Sequence, residues 1–374
     1  CAAGAQPFPA PTVGHGGFPT GGHEIYHLAT GTMGPAADRF VVGAAHDGTI
    51  LAFSPSGAPL WRNADSQAFP FDLQTADLDG DGKDEILTAT ADGRLRVLGS
   101  DGRLLWAFTA GRPGQHPPLY RVAVAATGDG SVTIATGGIG KELHLLTADG
   151  RLRQSIAMPD VVRHLRAGRI GDGARDRFAV VNAASGLAGR LRVLLFDPVQ
   201  DKPLWERDDF GIHAHNSGKR IFGMAVGDLN QDGRDEILLT HSWGDRGRLT
   251  AFDGSGQVLF SKADQRVPSV PYRMPLVDIV RLPGEAVPRV LSLFGNLLVR
   301  YDAEGAVQDV LEAPYSFANA AFDPALGVYY LGSAVSGGDG VYRLNLTRDD
   351  WPSALGTVAP DRKSTRLNSS HRIR

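Results

Sequence analysis

Apolar and polar residues alternate over short runs along most of the chain, and glycine-containing turns separate these runs. Residues 86–106 read ILTATADGRLRVLGSDGRLLW, and residues 237–260 read ILLTHSWGDRGRLTAFDGSGQVLF. Alternation with a period of two is typical of strands with one buried face, and DG or GSG turns are typical of hairpins. Each stretch therefore predicts a small antiparallel meander.

The third strand of this meander recurs in seven copies, at residues 48–53, 93–98, 142–146, 189–196, 247–252, 296–301 and 340–346. A repeat of roughly 35 to 50 residues fits four-stranded propeller blades better than helical solenoid units. We predict an all-β, seven-bladed β-propeller with blades near residues 25–70, 71–118, 119–160, 161–217, 218–271, 272–314 and 315–351. A linear array of small domains is disfavoured, because no unit is long enough to hold its own core.

A fourth strand also repeats, and it ends at Trp61, Trp106, Trp205 and Phe260. The fixed place of Trp61, Trp106 and Trp205 in the repeat predicts that these rings pack between blades rather than stack on a ligand.

Two acidic loops precede the meanders, DLDGDGKDEIL from Asp77 and DLNQDGRDEIL from Asp228. Oxygen-bearing side chains at alternate positions, a turn-forming Gly and a closing Glu are the ligand pattern of calcium loops, and no helical pattern flanks them as in an EF-hand. We expect two Ca²⁺ sites. Their ligands are Asp77, Asp79, Asp81, the Lys83 carbonyl and Glu85 in one loop, and Asp228, Asn230, Asp232, the Arg234 carbonyl and Glu236 in the other. A solvated Asx-rich turn is the alternative.

With these loops the chain resembles the FG-GAP and VCBS repeat family, whose propeller blades carry DxDxDGxxD-like calcium loops between their first two strands. The resemblance implies an extracellular carbohydrate-active setting, including propellers of the rhamnogalacturonan lyase kind. The pattern is complete in blades two and five only. Blade four retains Asp172 and Asp176 and blade three retains Asp129 and Gly130, so we expect no metal in those two loops.

The two ends of the chain differ from its repetitive middle. The single cysteine is Cys1, and the Pro- and Gly-rich residues 1–22 after it predict a flexible tether, as in a mature bacterial lipoprotein anchored through that cysteine. The propeller is expected over residues 23–351, and residues 352–360 begin a continuation. The basic, Ser-rich residues 361–374 resemble the translation of a sequencing adapter and are set aside.

The charge of the chain argues against nucleic acid as a partner. The formal net charge is −3, and without residues 361–374 the balance is 33 basic to 40 acidic residues, or −7. Binding to nucleic acid depends on neutralising phosphates with a basic surface. We expect an extracytoplasmic monomer that contacts a membrane only through a lipid on Cys1.

The segments that enter each innermost strand converge on the central channel of a propeller, and here they are rich in Tyr, His and Arg. Aromatic faces suit sugar rings and Arg forks suit carboxylate or sulfate, so we predict an anionic saccharide site. Its residues are Tyr26, His27, Tyr120, Arg121, His164, Arg220, Tyr272 and Arg273. The alternative is structural: Tyr rings fill the channel wall, and the arginines pair with Asp72, Glu24 or channel carbonyls.

Three functions remain open at this point. The first is a calcium-stabilised carbohydrate-recognition module. The second is a lyase for uronate polymers, which requires a carboxylate neutraliser, a base and an acid. Its catalytic candidates are His27, Tyr120, Arg121, His164, Arg220 and Arg273. The third is a protein-binding platform.

Overall fold

The computed structural model describes residues 6–7, 18–34, 38–183, 191–208, 220–243, 246–268, 276–294, 297–312, 317–333 and 341–346. These residues form β-strands and turns. The described part of the chain contains no helix long and apolar enough to cross a membrane.

A short strand, β1 (Gln6–Pro7), precedes the repeats. The first sheet contains β2 (Ile25–Thr32), β3 (Arg39–Ala45), β4 (Ile50–Phe53) and β5 (Pro59–Asn63). The second contains β6 (Pro70–Ala76), β7 (Glu85–Thr90), β8 (Arg94–Leu98) and β9 (Leu104–Thr109). The third contains β10 (Leu119–Ala126), β11 (Val132–Gly138), β12 (Glu142–Thr147) and β13 (Leu152–Ala157).

The fourth sheet contains β14 (Val161–Gly168), β15 (Arg177–Ala183), β16 (Leu191–Phe196) and β17 (Pro203–Arg207). The fifth contains β18 (Arg220–Gly227), β19 (Glu236–Trp243), β20 (Arg246–Phe252) and β21 (Val258–Pro268). The sixth contains β22 (Leu276–Val280), β23 (Arg289–Phe294), β24 (Leu297–Tyr301) and β25 (Val307–Glu312), and β1 adds to β25 in parallel. The seventh contains β26 (Phe317–Asp323), β27 (Val328–Ser333) and β28 (Val341–Asn345).

The seven sheets are the blades of a ring. Each is an antiparallel meander in chain order, and the innermost strand of each contacts the innermost strand of the next. Contact between β26 and β2 closes the ring. Seven apolar clusters lie between successive blades, for example Phe40, Val42 and Ile50 of blade one with Leu73 and Ile86 of blade two. The predicted seven-bladed, all-β propeller is thus confirmed.

The outermost strands are joined to the next blade by the repeated aromatic residue. Trp61 donates from Nε1 to the Ser100 carbonyl at 2.8 Å, and its ring covers Gly102. Gly102 has a φ of +81°, and a Cβ there would lie 2.6 Å from the Trp61 ring. Trp106 over Gly150 and Trp205 over Gly256 repeat this contact, so the prediction that the three tryptophan rings pack between blades is confirmed. Phe260 over Gly305 packs in the same way.

The last residues of the predicted N-terminal tether pack against the ring. Phe18 is buried against Phe53 and Tyr330, with ring centroids 5.5 and 5.9 Å apart, and its N–H donates to the Val341 carbonyl at 2.8 Å. It therefore bonds to β28 of blade seven while it packs against blade one. Residues 352–374, including the predicted adapter segment, lie outside the described residues.

Candidate functional site

A β-bulge stands near the start of the innermost strand in six blades. The register shifts between Ile25 and His27, Pro70 and Asp72, Leu119 and Arg121, Val162 and His164, Ile221 and Gly223, and Phe317 and Asn319. A bulge re-aims side chains, and a repeated bulge places equivalent residues at one end of the ring. We call this end the front face. The other end, where the innermost strands finish, is the back face.

Each bulge leaves one residue of the innermost strand without a pairing partner on the next strand, and we call it the skipped residue. In blades one to three the skipped residues are Tyr26, Phe71 and Tyr120, and they belong to a continuous run of rings on the front face. The ring centroids of Tyr26 and Phe69 lie 5.3 Å apart, those of Phe69 and Phe71 5.0 Å, and those of Phe71 and Tyr120 4.6 Å. The skipped residue of blade four is Arg163, whose Cζ lies 5.6 Å from the Tyr120 ring centroid. We call Tyr26, Phe69, Phe71 and Tyr120, together with Arg163, the aromatic run.

His46 extends this run outward. Its ring centroid lies 5.3 Å from that of Tyr26 and 5.1 Å from that of Phe69. Beside it opens a cavity of about 590 Å³, lined by His46, Asp47, Thr49, Arg62, Ala64, Ser66, Gln67 and Phe69. This volume is within the usual range for small-ligand sites.

The residues that follow the bulges form a polar network in the channel. Arg121 donates from Nη1 to the carbonyls of Phe71 at 2.6 Å and Tyr120 at 2.8 Å. The Asp72 carboxylate accepts from the Val122 N–H at 3.1 Å and lies 3.5 Å from Nη1 of Arg166. These carbonyl contacts are the ones expected if Arg121 has a structural role, and they engage its Nη1 within the protein.

His27 also faces this network. Burial lowers its pKa from 6.5 to about 4, and the nearby Arg121 and Arg166 lower it further, whereas Asp72 opposes them. Its Nδ1 lies 3.3 Å from Nδ2 of Asn319. The ring is therefore neutral at ordinary pH.

Blades six and seven add a partly buried acid to the channel. The Tyr329 hydroxyl donates to Oδ2 of Asp278 at 2.6 Å, and burial raises the pKa of this carboxyl group. Arg166 is the nearby cation that stabilises its charged form.

The structure therefore brings together four of the eight residues predicted to bind a saccharide, Tyr26, His27, Tyr120 and Arg121. His164 is buried in β14, and Arg220 is the first residue of β18. Tyr272 and Arg273 lie outside the described residues. The sequence analysis did not identify Arg163, Phe69 and Phe71 as site residues, although all three lie in the segments that enter the innermost strands. The missing signal was the bulge, which makes Arg163 rather than His164 the equivalent of Tyr26 and Tyr120.

The first acidic loop follows β6 on the back face. Oxygens of Asp77, Asp79 and Glu85 all lie within 4.8 Å of one another. Calcium takes its oxygens at about 2.3–2.6 Å, so ligands on one ion are at most roughly 5 Å apart and these three fit. Burial raises the pKa of Glu85, and the neighbouring Asp79 and Asp81 add to this effect. Asp81 pairs with Nζ of Lys83 at 2.7 Å.

The second loop follows β18 and has the same hydrogen bond between its closing Glu and a backbone N–H as the first loop. Glu236 Oε2 accepts from the Leu229 N–H at 2.8 Å, as Glu85 does from the Leu78 N–H at 2.8 Å. Burial raises the pKa of Glu236 to about 7. Asn230 Nδ2 lies 3.2 Å from Glu236 Oε1, and Asp232 Oδ1 accepts from the Arg234 N–H at 2.8 Å.

Loops of equal length in blades four and six carry arginine where these two carry glutamate. Strand pairing aligns Arg177 and Arg289 with Glu85 and Glu236. Arg177 donates from Nη1 to the Ile170 carbonyl at 2.8 Å and from Nη2 to the Asp172 carbonyl, which places its charge inside the loop.

The same register shows that Asp176, a residue that blade four retains from the loop pattern, is not in the position of the closing Glu85. Asp176 is the equivalent of Asp84. It accepts from the Ala126 N–H at 2.9 Å, as Asp84 accepts from the Thr32 N–H at 2.7 Å, so both carboxylates bind the preceding blade.

Fold and site together define a propeller whose front face carries an aromatic run beside a polar cavity. The chain belongs to the lambda-carrageenase β-propeller domain family, which it matches over residues 40–344. This supports the predicted link to carbohydrate, whereas the FG-GAP and VCBS type stays a prediction.

Two curated relatives are similar to the chain. A lambda-carrageenase of Pseudoalteromonas sp. is 27% identical over 356 residues, and one of Pseudoalteromonas carrageenovora is 26% identical over 356 residues. Each alignment covers 89% of this chain and 36% of the relative, so the chain spans little more than a third of the proteins it matches.

Proposed function

We propose that this propeller is a carbohydrate-recognition module that binds a sulfated galactan of the lambda-carrageenan type on its front face. The observation that carries the proposal is the aromatic run, since ring faces suit sugar rings and the Arg163 guanidinium suits sulfate. The relatives' name supplies the polymer class.

Binding is proposed ahead of the lyase alternative because two of the six catalytic candidates, Arg121 and His27, are engaged inside the protein. Arg121, a candidate carboxylate neutraliser, donates to two carbonyls, and His27 lies within hydrogen-bonding distance of Asn319. The enzymatic activity named for the relatives belongs to proteins of which this chain spans 36%, so we assign recognition to the propeller.

We further propose that Ca²⁺ stabilises the loops of blades two and five. Asp77, Asp79 and Glu85 would hold the ion in blade two, and Asp228, Asn230, Asp232 and Glu236 in blade five. The support is the arginine in the equivalent loops of blades four and six. Each of those loops places a positive charge at the position where blades two and five place an acid.

An extracytoplasmic location, with a lipid on Cys1, is proposed as well. It accords with a polysaccharide ligand too large to enter a cell unprocessed. A Cys1→Ser variant expressed behind a lipoprotein signal peptide should move from the membrane to the soluble fraction, and unchanged partitioning would contradict the anchor.

Affinity electrophoresis tests the binding proposal. Lambda-carrageenan in the gel should retard the protein, whereas a neutral galactan and a uronate polymer should not. The net charge of −3 opposes non-specific attraction to any polyanion, so retardation reports a site. Unchanged mobility in lambda-carrageenan, or equal retardation by the uronate polymer, would contradict the proposal.

A further inference from the structure

Two arginines, one beside the aromatic run and one within it, have no carboxylate partner among the described residues. Arg62 is exposed at the cavity beside Phe69, and within the described part of the chain it makes no hydrogen bond or ion pair. Arg163 covers the far end over Tyr120, and its described interactions are with that ring and with the like charge of Arg121. Repulsion between two guanidinium groups is relieved when an anion binds between or beside them.

The path between these two arginines is continuous. It leads from the Arg62 cavity over Phe69 and Phe71 to Tyr120 and Arg163, with ring centroids 5.0 and 4.6 Å apart. It therefore crosses blades one to four on the front face.

The other charged groups near this path are already engaged. Asp47 accepts from the Thr49 N–H at 3.0 Å and lies 3.1 Å from Nδ1 of His23. Arg121 is held by carbonyls, and Arg166 lies 3.5 Å from Asp72. Arg62 and Arg163 are thus the cations on this path that remain available to a ligand.

We infer that this path is an extended saccharide site in which the rings stack on sugar units and Arg62 and Arg163 each bind one sulfate group. The inference rests on the proposed function and places the ligand on the face across four blades rather than in the channel. The fork of each arginine can donate two parallel hydrogen bonds to sulfate oxygens, which a lysine cannot do.

Titration calorimetry with lambda-carrageenan oligosaccharides and a chemically desulfated series tests the site. Arg62→Ala and Arg163→Ala should each weaken binding of the sulfated series about ten- to a hundredfold, the range for a lost hydrogen bond to a charged group. Arg62→Lys and Arg163→Lys should recover part of that loss. Affinity for the desulfated series should be the same in wild type and variants.

Arg103→Ala is the matched control, because this arginine lies in an outer turn with its side chain 86% exposed and away from the run. It should bind as wild type, and thermal unfolding should show that every variant is folded. Wild-type affinity in both Arg62→Ala and Arg163→Ala would overturn the placement while leaving the proposed function standing. Failure of the wild-type protein to bind either series would overturn both.

Discussion

A single bulged position decides which residues of the innermost strands face a ligand and which face the channel. Tyr26 and Tyr120 occupy that position and join the run, whereas His27 and Arg121 follow it and contact channel groups. Adjacent residues of one strand therefore have different roles. The sequence shows the Tyr-His and Tyr-Arg pairs, but a skipped hydrogen bond has no sequence signature, and so both members were assigned to one site.

At His27 we predict a pH-dependent contribution to stability. The folded-state pKa of about 4 is below the unfolded value of 6.5, so the unfolded chain binds the proton first as the pH falls. The free energy of unfolding should be fully supported above pH 6.5 and should fall between pH 6.5 and 4. The loss attributable to this group is about 3 kcal/mol at most.

Chemical denaturation across that pH range, together with an NMR titration of the imidazole, measures this contribution. His27→Gln should lose less stability on acidification than wild type, and His116→Gln is the control for removal of an exposed imidazole. A titration midpoint of His27 near 6.5 in the folded protein would show that the ring is not held neutral.

At the scale of single elements, four back-face loops have the same length and strand register but carry one of two kinds of side chain at the residue that closes the loop. Leu78, Ile170, Leu229 and Leu282 are the buried apolar residues that these loops share in blades two, four, five and six. The position that opens the second strand carries an acid in two of these loops and an arginine in the other two. Sequence spacing identified the acidic pair, but it could not align the arginine pair, because that equivalence depends on strand register.

The blade-two loop should gain stability from Ca²⁺. Asp77, Asp79 and Glu85 repel one another when no cation is bound, so an ion that binds only the folded state stabilises it by about 2.7 kcal/mol at a hundredfold excess over Kd. Asp79→Asn keeps an oxygen that can accept from the Asp81 N–H but removes one charge. It should reduce the calcium-dependent rise in Tm.

Differential scanning calorimetry in calcium and in excess chelator provides the comparison. Asp101→Asn in an outer turn of the same blade is the control, and it should retain the wild-type response. Equal wild-type Tm in calcium and in chelator would contradict the prediction.

Because the Trp61 ring packs on the Gly102 turn, adding one methyl group at Gly102 should lower the free energy of unfolding strongly. Gly102→Ala forces a φ of +81° on an L-residue and places its Cβ 2.6 Å from the ring. Gly114→Ala has the same φ of +81° with nothing within 4 Å. The control should therefore lose only the backbone strain of about 1–2 kcal/mol, and Gly102→Ala should lose more. Equal losses of unfolding free energy in urea denaturation would show that the Trp61 ring can move aside without further destabilising the protein.

At the scale of the whole molecule, the ring separates two chemistries. The innermost strands begin at the aromatic run and end at the acidic loops, so the saccharide and calcium proposals concern opposite faces and can fail independently. The fold was predictable because the seven third strands repeat in the sequence. The way in which the ring closes was not predictable, because Phe18 is a single apolar residue inside a Pro- and Gly-rich segment. The residues that Phe18 contacts are about 35 and 310 residues away in the chain.

Closure by Phe18 is the last prediction. Its ring packs between Phe53 of blade one and Tyr330 of blade seven, and its N–H bonds to the outer edge of β28. Phe18→Ala leaves a cavity at the joint where the first and last blades meet, and a buried Phe→Ala change costs about 3–5 kcal/mol. Guanidinium denaturation should show this loss in the midpoint. Leu152→Ala, at a side chain 49% exposed on an outermost strand, should stay within about 0.5 kcal/mol of wild type. If Phe18→Ala were as stable as Leu152→Ala, Phe18 would not contribute to closing the ring, and the other contacts between blades one and seven would hold it.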